Sequence, residues 1–225
     1  MNIEQARFNM IEQQIRPWHV SDTTVLGLLS TVKREAFVPT AHKGLAFADL
    51  EIPLLGSGEE SLAKGQCMLA PRLDARMLQD LAVRPTDTVL EVGTGSGYTA
   101  ALLASMAQRV ITVEINAELA AQARTNLRDA GIQNVEVRQA DGSKTSAADG
   151  SFDVIALSCS VTEVPHSLLS LLKPGGRLGA IVGEEPIMRA TVVTRTGDST
   201  FSTVTGWDTL APRLLNFPEP SRFKL

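Results

Sequence analysis

The stretch that most constrains this chain is VLEVGTGSGYTA, residues 89–100. Val89, Leu90 and Val92 bracket an acid, Glu91; glycines follow at Gly93, Gly95 and Gly97; an apolar run then opens. A strand that turns through glycines into a helix presents bare backbone N–H groups to whatever sits at the turn. Such a turn needs alternating strands and helices around it, and the sequence supplies them. TVLEV (88–92), RVITVEI (109–115), NVEVRQA (134–140), FDVIALS (152–158) and RLGAIVG (177–183) read as apolar strands. Helical patterns over 98–107, 116–131 and 163–172 lie between them, with Asn116 as a cap and Gly131 as a stop. That alternation predicts an α/β fold with a doubly wound, mostly parallel sheet covered on both faces. ATVVTRT (190–196) and FSTVTGW (201–207), joined by a Gly-Asp-Ser turn, predict an antiparallel hairpin at the C-terminal end.

Upstream the texture is helical. Ile3, Met10, Ile11 and Ile15 place a helix over 2–16 that Pro17 ends. Ser21 or Asp22 caps a second helix through Val25, Leu28, Leu29 and Val32, and a short third helix is expected at 40–47. PLLGSGEESLAKGQ (53–66) reads as an exposed loop, and Pro71 as the first residue of a helix carrying Leu73, Met77, Leu78 and Leu81. Residues 1–84 are therefore an extra helical extension and 85–225 the binding core of one domain, 1–225. The formal charge of −4 disfavours a phosphate-backbone partner, so no nucleic acid is expected. No apolar run reaches the ~18 residues of a membrane helix, and no leader pattern opens the chain; a cytoplasmic protein without a membrane partner is expected. Cys67 and Cys159 form no metal-spaced pair and read as reduced thiols.

The loop itself discriminates between ligands. No lysine follows it, which excludes a P-loop, and Tyr98 stands where a dinucleotide loop has its third glycine. What remains is an acid two residues before three alternating glycines. A carboxylate aimed into that mouth would repel a pyrophosphate and suit a ligand with an ammonium and a sulfonium, which describes S-adenosylmethionine. Glu114 ends the next strand, where a carboxylate accepts from ribose hydroxyls, and Asp141 follows the third strand, within reach of an adenine amino group. Three acids at successive strand ends converge on one crevice.

These segments, with LLKPGGRL (171–178), resemble the successive motifs of class I S-adenosylmethionine-dependent methyltransferases. More narrowly the chain resembles the protein-L-isoaspartate O-methyltransferase family, through REAFVP (34–39), FADLEIPL (47–54) and Pro71 with RLDARML (72–78) as well. The resemblance implies a seven-stranded Rossmann-like sheet and a cofactor site at Glu91, Gly93, Thr94, Gly95, Ser96, Gly97, Glu114, Ile115, Asp141 and Gly142. It implies an isoaspartyl protein or peptide as acceptor, and hence a role in protein repair. One departure bears on that acceptor. Where the family carries Thr-Ile-Ser-Gln-Pro, this chain reads Cys67-Met68-Leu69-Ala70-Pro71, so Leu69 stands at the serine position and Ala70 at the glutamine position.

Ser158, Ser160 and Thr162, in SCSVTEVP after the fourth core strand, are the candidates to replace the missing hydroxyl. Transfer to a carboxylate needs no general base, because that group is already ionised near neutral pH. His19, His42 and His166 read as surface or cap residues, and Trp18 and Trp207 as packing residues. Asp141 and Asp153 do not make a metal cluster, and no metal is expected. Three other readings stay open: a small or apolar acceptor on the same scaffold, a non-catalytic cofactor-binding protein, and, last, a nicotinamide-dependent oxidoreductase.

Overall fold

The computed structural model describes residues 2–56 and 58–219; residues 1, 57 and 220–225, which the 1–225 reading spans, lie outside the described residues. Helix α1 (Ile3–Met10) is capped by the Asn2 side chain, which accepts from the Gln5 N–H. It does not stay α-helical to residue 16. A π turn at Ile11–Ile15 and a 3-10 turn at Arg16–Trp18 follow, where Pro17 offers no N–H, and His19 closes the segment at φ 62°. Asp22, rather than Ser21, caps α2 (Thr23–Thr31), accepting from the N–H groups of Thr24 and Val25. The third expected helix is a 3-10 segment, Thr40–Leu45.

The stretch expected as an exposed loop at 53–66 is exposed at Gly56, Glu59, Glu60, Leu62, Ala63 and Lys64, but its described residues are not a loop throughout. Strands β1 (Ile52–Pro53) and β2 (Cys67–Met68) pair antiparallel and enclose α3 (Gly58–Ala63). The reason is one buried hydroxyl. Ser61 Oγ accepts from the N–H groups of Leu54 and Leu55 and donates to the Gln66 carbonyl at 2.6 Å. Three backbone groups are satisfied inside, so a polar composition folds as structure. Pro71 opens α4 (Pro71–Leu81) as expected, and α4 leads to the main sheet.

That sheet has seven strands in the order β5-β4-β3-β6-β7-β8-β9. They are β3 (Thr88–Val92), β4 (Arg109–Glu114), β5 (Val135–Gln139), β6 (Phe152–Val161), β7 (Leu172–Glu184), β8 (Ile187–Arg195) and β9 (Phe201–Thr209). The five strands β3 to β7 are mutually parallel, and β8 and β9 add two antiparallel strands at the edge. Helices α5 (Tyr98–Met106) and α6 (Ala117–Asp129) make the crossovers, with Asn116 capping α6 through the Glu118 and Leu119 N–H groups. The helix expected at 163–172 shrinks to α7 (His166–Leu169), because Phe152 N–H takes the Leu171 carbonyl and Leu172 already pairs with Phe152. One apolar cluster runs from Met10, Val25 and Phe37 through Leu78 and Leu102 to Val89, Val110 and Val154. The N-terminal helices and one face of the sheet therefore share a core. Leu90, Val92, Ile111 and Ile155 pack on the opposite face.

Side chains alternate along a strand, so Glu91 must share the face of Val89. It is fully buried there, between Thr112 of β4, whose hydroxyl donates at 2.7 Å, and Ser158 of β6, whose hydroxyl also donates at 2.7 Å. Burial pushes its pKa up from 4.5 to about 8, against the two hydroxyl donors, which favour the charged form. A carboxyl held above its ordinary value keeps a proton that the unfolded chain loses. Its stabilising share is present below pH 4.5 and is lost as pH rises through about 8. Thermal unfolding should therefore show a loss approaching ~1.4 kcal/mol per pH unit from this group between about pH 5 and 7.5, levelling off above about 8. Glu91→Gln should flatten that slope, and an unchanged slope would assign the proton elsewhere.

Candidate functional site

At β3 the chain order reverses, with β4 on one side and β6 on the other. A crevice forms outside the carboxyl ends of strands at such a point. Here it is a cavity of about 340 Å³, within the range of small-molecule sites. Gly93, Thr94, Gly95 and Ser96 line it from the loop, Glu114 and Ile115 from the end of β4, and Asp141 and Gly142 from the end of β5. Two of the expected cofactor residues are not on its wall. Glu91 lies beneath the loop, on the face given by its place in the strand. Gly97, at φ 85°, faces α6 instead: a Cβ there would meet Leu127 Cγ at 3.2 Å. It lets α6 pack against the start of α5. Gly142 combines both roles, lining the cavity while a Cβ would fall 2.3 Å from Val92 Cγ1.

The loop is held in shape by the acids around it. Glu114 is buried; its Oε2 accepts from Gly95 N–H and its Oε1 from Asn116 N–H, both at 2.9 Å. Each oxygen keeps a free lone pair for a ligand hydroxyl. Thr94 Oγ1 contacts Thr112 Oγ1 at 2.6 Å, which joins the loop to the buried Glu91 network. Asp141 Oδ1 accepts from the Ser143 N–H and hydroxyl, and its Oδ2 from Asn216 Nδ2 at 3.0 Å. Partial burial raises the Asp141 pKa, but those donors outweigh it and hold the group below its ordinary range.

Sequence reading missed Asp74, Thr99 and a C-terminal segment, Arg213–Phe217, on the same wall. Asp74 is buried; it accepts from Arg34 Nη1 at 3.3 Å and from the Thr99 hydroxyl at 3.0 Å. Burial lifts its pKa to about 6, against the pull of Arg34 and Thr99. Its signal was available: Asp74 shares a helix face with Leu78 and Leu81, where an acid has no business without a partner. Arg34 is fully buried, spans 5.0 Å to the Tyr98 ring, and donates through Nη2 to the Leu69 carbonyl at 2.7 Å.

The acceptor candidates divide. Leu69 and Ser158 line the cavity; Ser160 and Thr162 do not. Ser160 is buried, and its hydroxyl donates to the carbonyls of Ala211 and Pro212. The Thr162 hydroxyl donates to the Pro218 carbonyl at 2.7 Å. Both are spent on anchoring the C-terminal segment: a register shift in β6 between Ala156 and Ser160 breaks the alternation that would have kept Ser160 on the face of Ser158, and Thr162 lies just past the end of β6. His19 and His166 are exposed, and neither they nor His42 lie on the cavity wall. The packing expectation holds for Trp207, which is partly buried against the cluster of Leu69, Leu73 and Ile181, stacks under Arg76 and donates Nε1 to Asp80; Trp18 is exposed and stacks under Arg72. Cys67 and Cys159, both free, line the cavity; burial raises both thiols, Cys67 to about 12.

Comparison with known proteins agrees with this geometry. The profile of the protein-L-isoaspartate(D-aspartate) O-methyltransferase family matches residues 5–208. The protein-L-isoaspartate O-methyltransferase of Koribacter versatilis is 40% identical over 189 residues, covering 84% of this chain and 81% of its own. That of Petrotoga mobilis is 35% identical over 199 residues, covering 88% and 90%. In fold, the chain is similar to a Plasmodium falciparum crystal structure described as a candidate enzyme of this kind, in complex with S-adenosyl-L-homocysteine. That similarity has a TM-score of 0.76 and 18% identity, and covers 95% of this chain and 98% of the other. The fold, the glycine loop with its acids and the match over residues 5–208 converge: this chain belongs to the protein-L-isoaspartate(D-aspartate) O-methyltransferase family.

Proposed function

We propose that this chain transfers a methyl group from S-adenosylmethionine to the free carboxylate of L-isoaspartyl residues in proteins and peptides. Its family is one of S-adenosylmethionine-dependent methyltransferases, and the chain is an enzyme of that class. The observation that carries the reading is the cavity at the carboxyl ends of β3, β4 and β5, with Glu114 fixed by two backbone N–H groups and open to a ligand. Glu114 and Asp141 give that end of the cavity a negative wall, with Asp74 nearby balanced by Arg34; such a wall suits a ligand of net positive charge and opposes a pyrophosphate. The same wall is the reason a nicotinamide dinucleotide fits poorly.

In this reading Glu114 holds the ribose hydroxyls, Ile115 and Gly142 border the adenine, and the Gly93–Ser96 backbone faces the methionine portion. When bound, the cofactor supplies an electrophilic methyl group on sulfur. In an isoaspartyl linkage the main chain runs through the side-chain carboxyl, which leaves the α-carboxylate free. That group has a pKa of about 3.5 and attacks without a base. The protein's work is then to align the two groups and keep water out. Cys67 and Cys159 stay protonated on the same wall, so no thiolate competes for the methyl group. A cytoplasmic setting and a protein-repair role belong to the same proposal. Among the described residues no helix is long and apolar enough to cross a membrane.

A second reading, a smaller apolar acceptor, is favoured by one observation. Leu69 lines the cavity and packs with Leu73, Ile181, Met188 and Ala211. If it narrows the acceptor end against a peptide, Leu69→Ser should raise isoaspartyl turnover by about tenfold, the value of one hydrogen bond to a charged group. The change should cost about 2–3 kcal/mol of stability through lost apolar contacts. Ala70→Gln should not help, because Ala70 is buried and a longer side chain overpacks its site.

Two measurements test the main reading. Methyl-labelled cofactor with an isoaspartyl peptide should give a base-labile methyl ester, and the matching aspartyl peptide should give none. Equal or absent labelling of both would overturn the acceptor assignment. Calorimetry should show S-adenosylhomocysteine binding that Glu114→Ala weakens by at least ~10-fold, with NADH binding weaker than S-adenosylhomocysteine throughout. The reverse order would overturn the cofactor assignment.

A further inference from the structure

The acidic wall that suits the cofactor raises a difficulty for the acceptor. A carboxylate entering this cavity meets Glu114 and Asp141, Asp74 being already paired with Arg34, and the hydroxyls at Ser160 and Thr162 face elsewhere. Something of positive charge has to receive it. Lys64 and Arg213 are the cationic residues on the wall among the described residues. Lys64 is exposed and paired with Glu60 one helical turn away.

Arg213 differs in every respect. Its backbone is bracketed by β6: Ser160 N–H donates to the Pro212 carbonyl at 2.7 Å, and Leu214 N–H donates to the Ser160 carbonyl at 2.8 Å. The Ser160 hydroxyl adds two more bonds to the Ala211 and Pro212 carbonyls. The guanidinium is fixed at one end, where Nη2 donates to the Gly183 carbonyl of β7 at 2.9 Å. The other end, Nη1, is buried and has no hydrogen-bond partner. An always-charged group with a desolvated, unused donor is costly unless a ligand completes it.

Position assigns the ligand. Across the sheet the cofactor residues sit over β5, β4 and β3. Arg213 is tied to β6 and β7, on the far side. Leu69 packs on that same side, against Ile181 of β7 and Ala211. The acceptor therefore enters between Leu69 and Arg213. We infer that Arg213 is the acceptor-binding residue of this enzyme, its free Nη1 receiving the substrate carboxylate and holding it for attack on the methyl group. This rests on the carboxylate-acceptor reading above, and gives Ser160 a positioning role in place of direct contact.

The test compares an isoaspartyl peptide with its isoasparaginyl amide, identical but uncharged at the reacting group. Binding of each is measured with S-adenosylhomocysteine present, and methylation of the acid is followed in parallel. Wild-type protein should bind the acid at least ~30-fold better than the amide. Arg213→Met should abolish that preference and raise KM for the acid by ~30-fold or more, with the S-adenosylhomocysteine Kd within about twofold of wild type. Arg213→Lys should fall between. Thermal melts of both variants report folding separately. A preference for the acid that survives in Arg213→Met overturns the inference. So does a parallel loss of S-adenosylhomocysteine affinity, which would assign Arg213 to the cofactor's own carboxylate. If wild-type protein neither binds nor methylates the isoaspartyl peptide, the carboxylate-acceptor reading falls and this inference with it.

Discussion

Everything at this site depends on a carboxyl that lies beneath the cavity wall, fully buried. Glu91 sits in the middle strand of the sheet, under the loop, and receives hydroxyls from both neighbouring strands, Thr112 on β4 and Ser158 on β6. Thr112 in turn meets Thr94 of the loop. One buried group thus joins three strands and the glycine turn. A buried acid is expensive, and it stays because its two hydroxyl partners offset part of the desolvation and because it is neutral there over much of the pH range. The reward is preorganisation: the loop's N–H groups are aimed before any ligand arrives, so binding need not order them.

A second buried pair ties the two ends of the cavity. Arg34 and Asp74 are almost completely enclosed, and Arg34 also holds the Leu69 carbonyl while Asp74 takes the Thr99 hydroxyl at the start of α5. Removing either partner would leave a charge buried alone, which costs more than the pair itself contributes. The N-terminal helices are part of the site for this reason. They deliver Arg34, and Arg34 fixes the backbone of the acceptor end relative to the cofactor loop.

What could be read from the sequence follows the range of the physics involved. The parallel sheet was legible because buried strands are apolar throughout, and the glycine loop because its turn tolerates few other residues. Glu114, Asp141 and Gly142 were legible because strand ends in such a sheet point at one crevice. The direction of Glu91 is misread from its spacing ahead of the three glycines, although strand alternation alone places it with Val89. Ser61 disguised α3 and its flanking strands, since one hydroxyl satisfying three backbone groups leaves no pattern in sequence. Arg213 was out of reach. Its role depends on a pairing with Ser160 across more than fifty residues, and no local periodicity encodes that.

That long-range pairing also explains why the last described segment belongs to the binding site. Leu214 Cδ2 would lie 3.2 Å from a Cβ at Gly93, so the segment closes directly over the loop. Asn216 reaches Asp141 at the cofactor end, and Thr162 holds Pro218 beyond it. The roof therefore spans from the β7 side to the β5 side and touches both halves of the cavity. Ser160 and Thr162, which sequence assigned to the acceptor, act on it by fixing this roof. Exclusion of water from a displacement between a sulfonium and a carboxylate is what such a roof provides, since both charges are stabilised by water and react faster when it is gone.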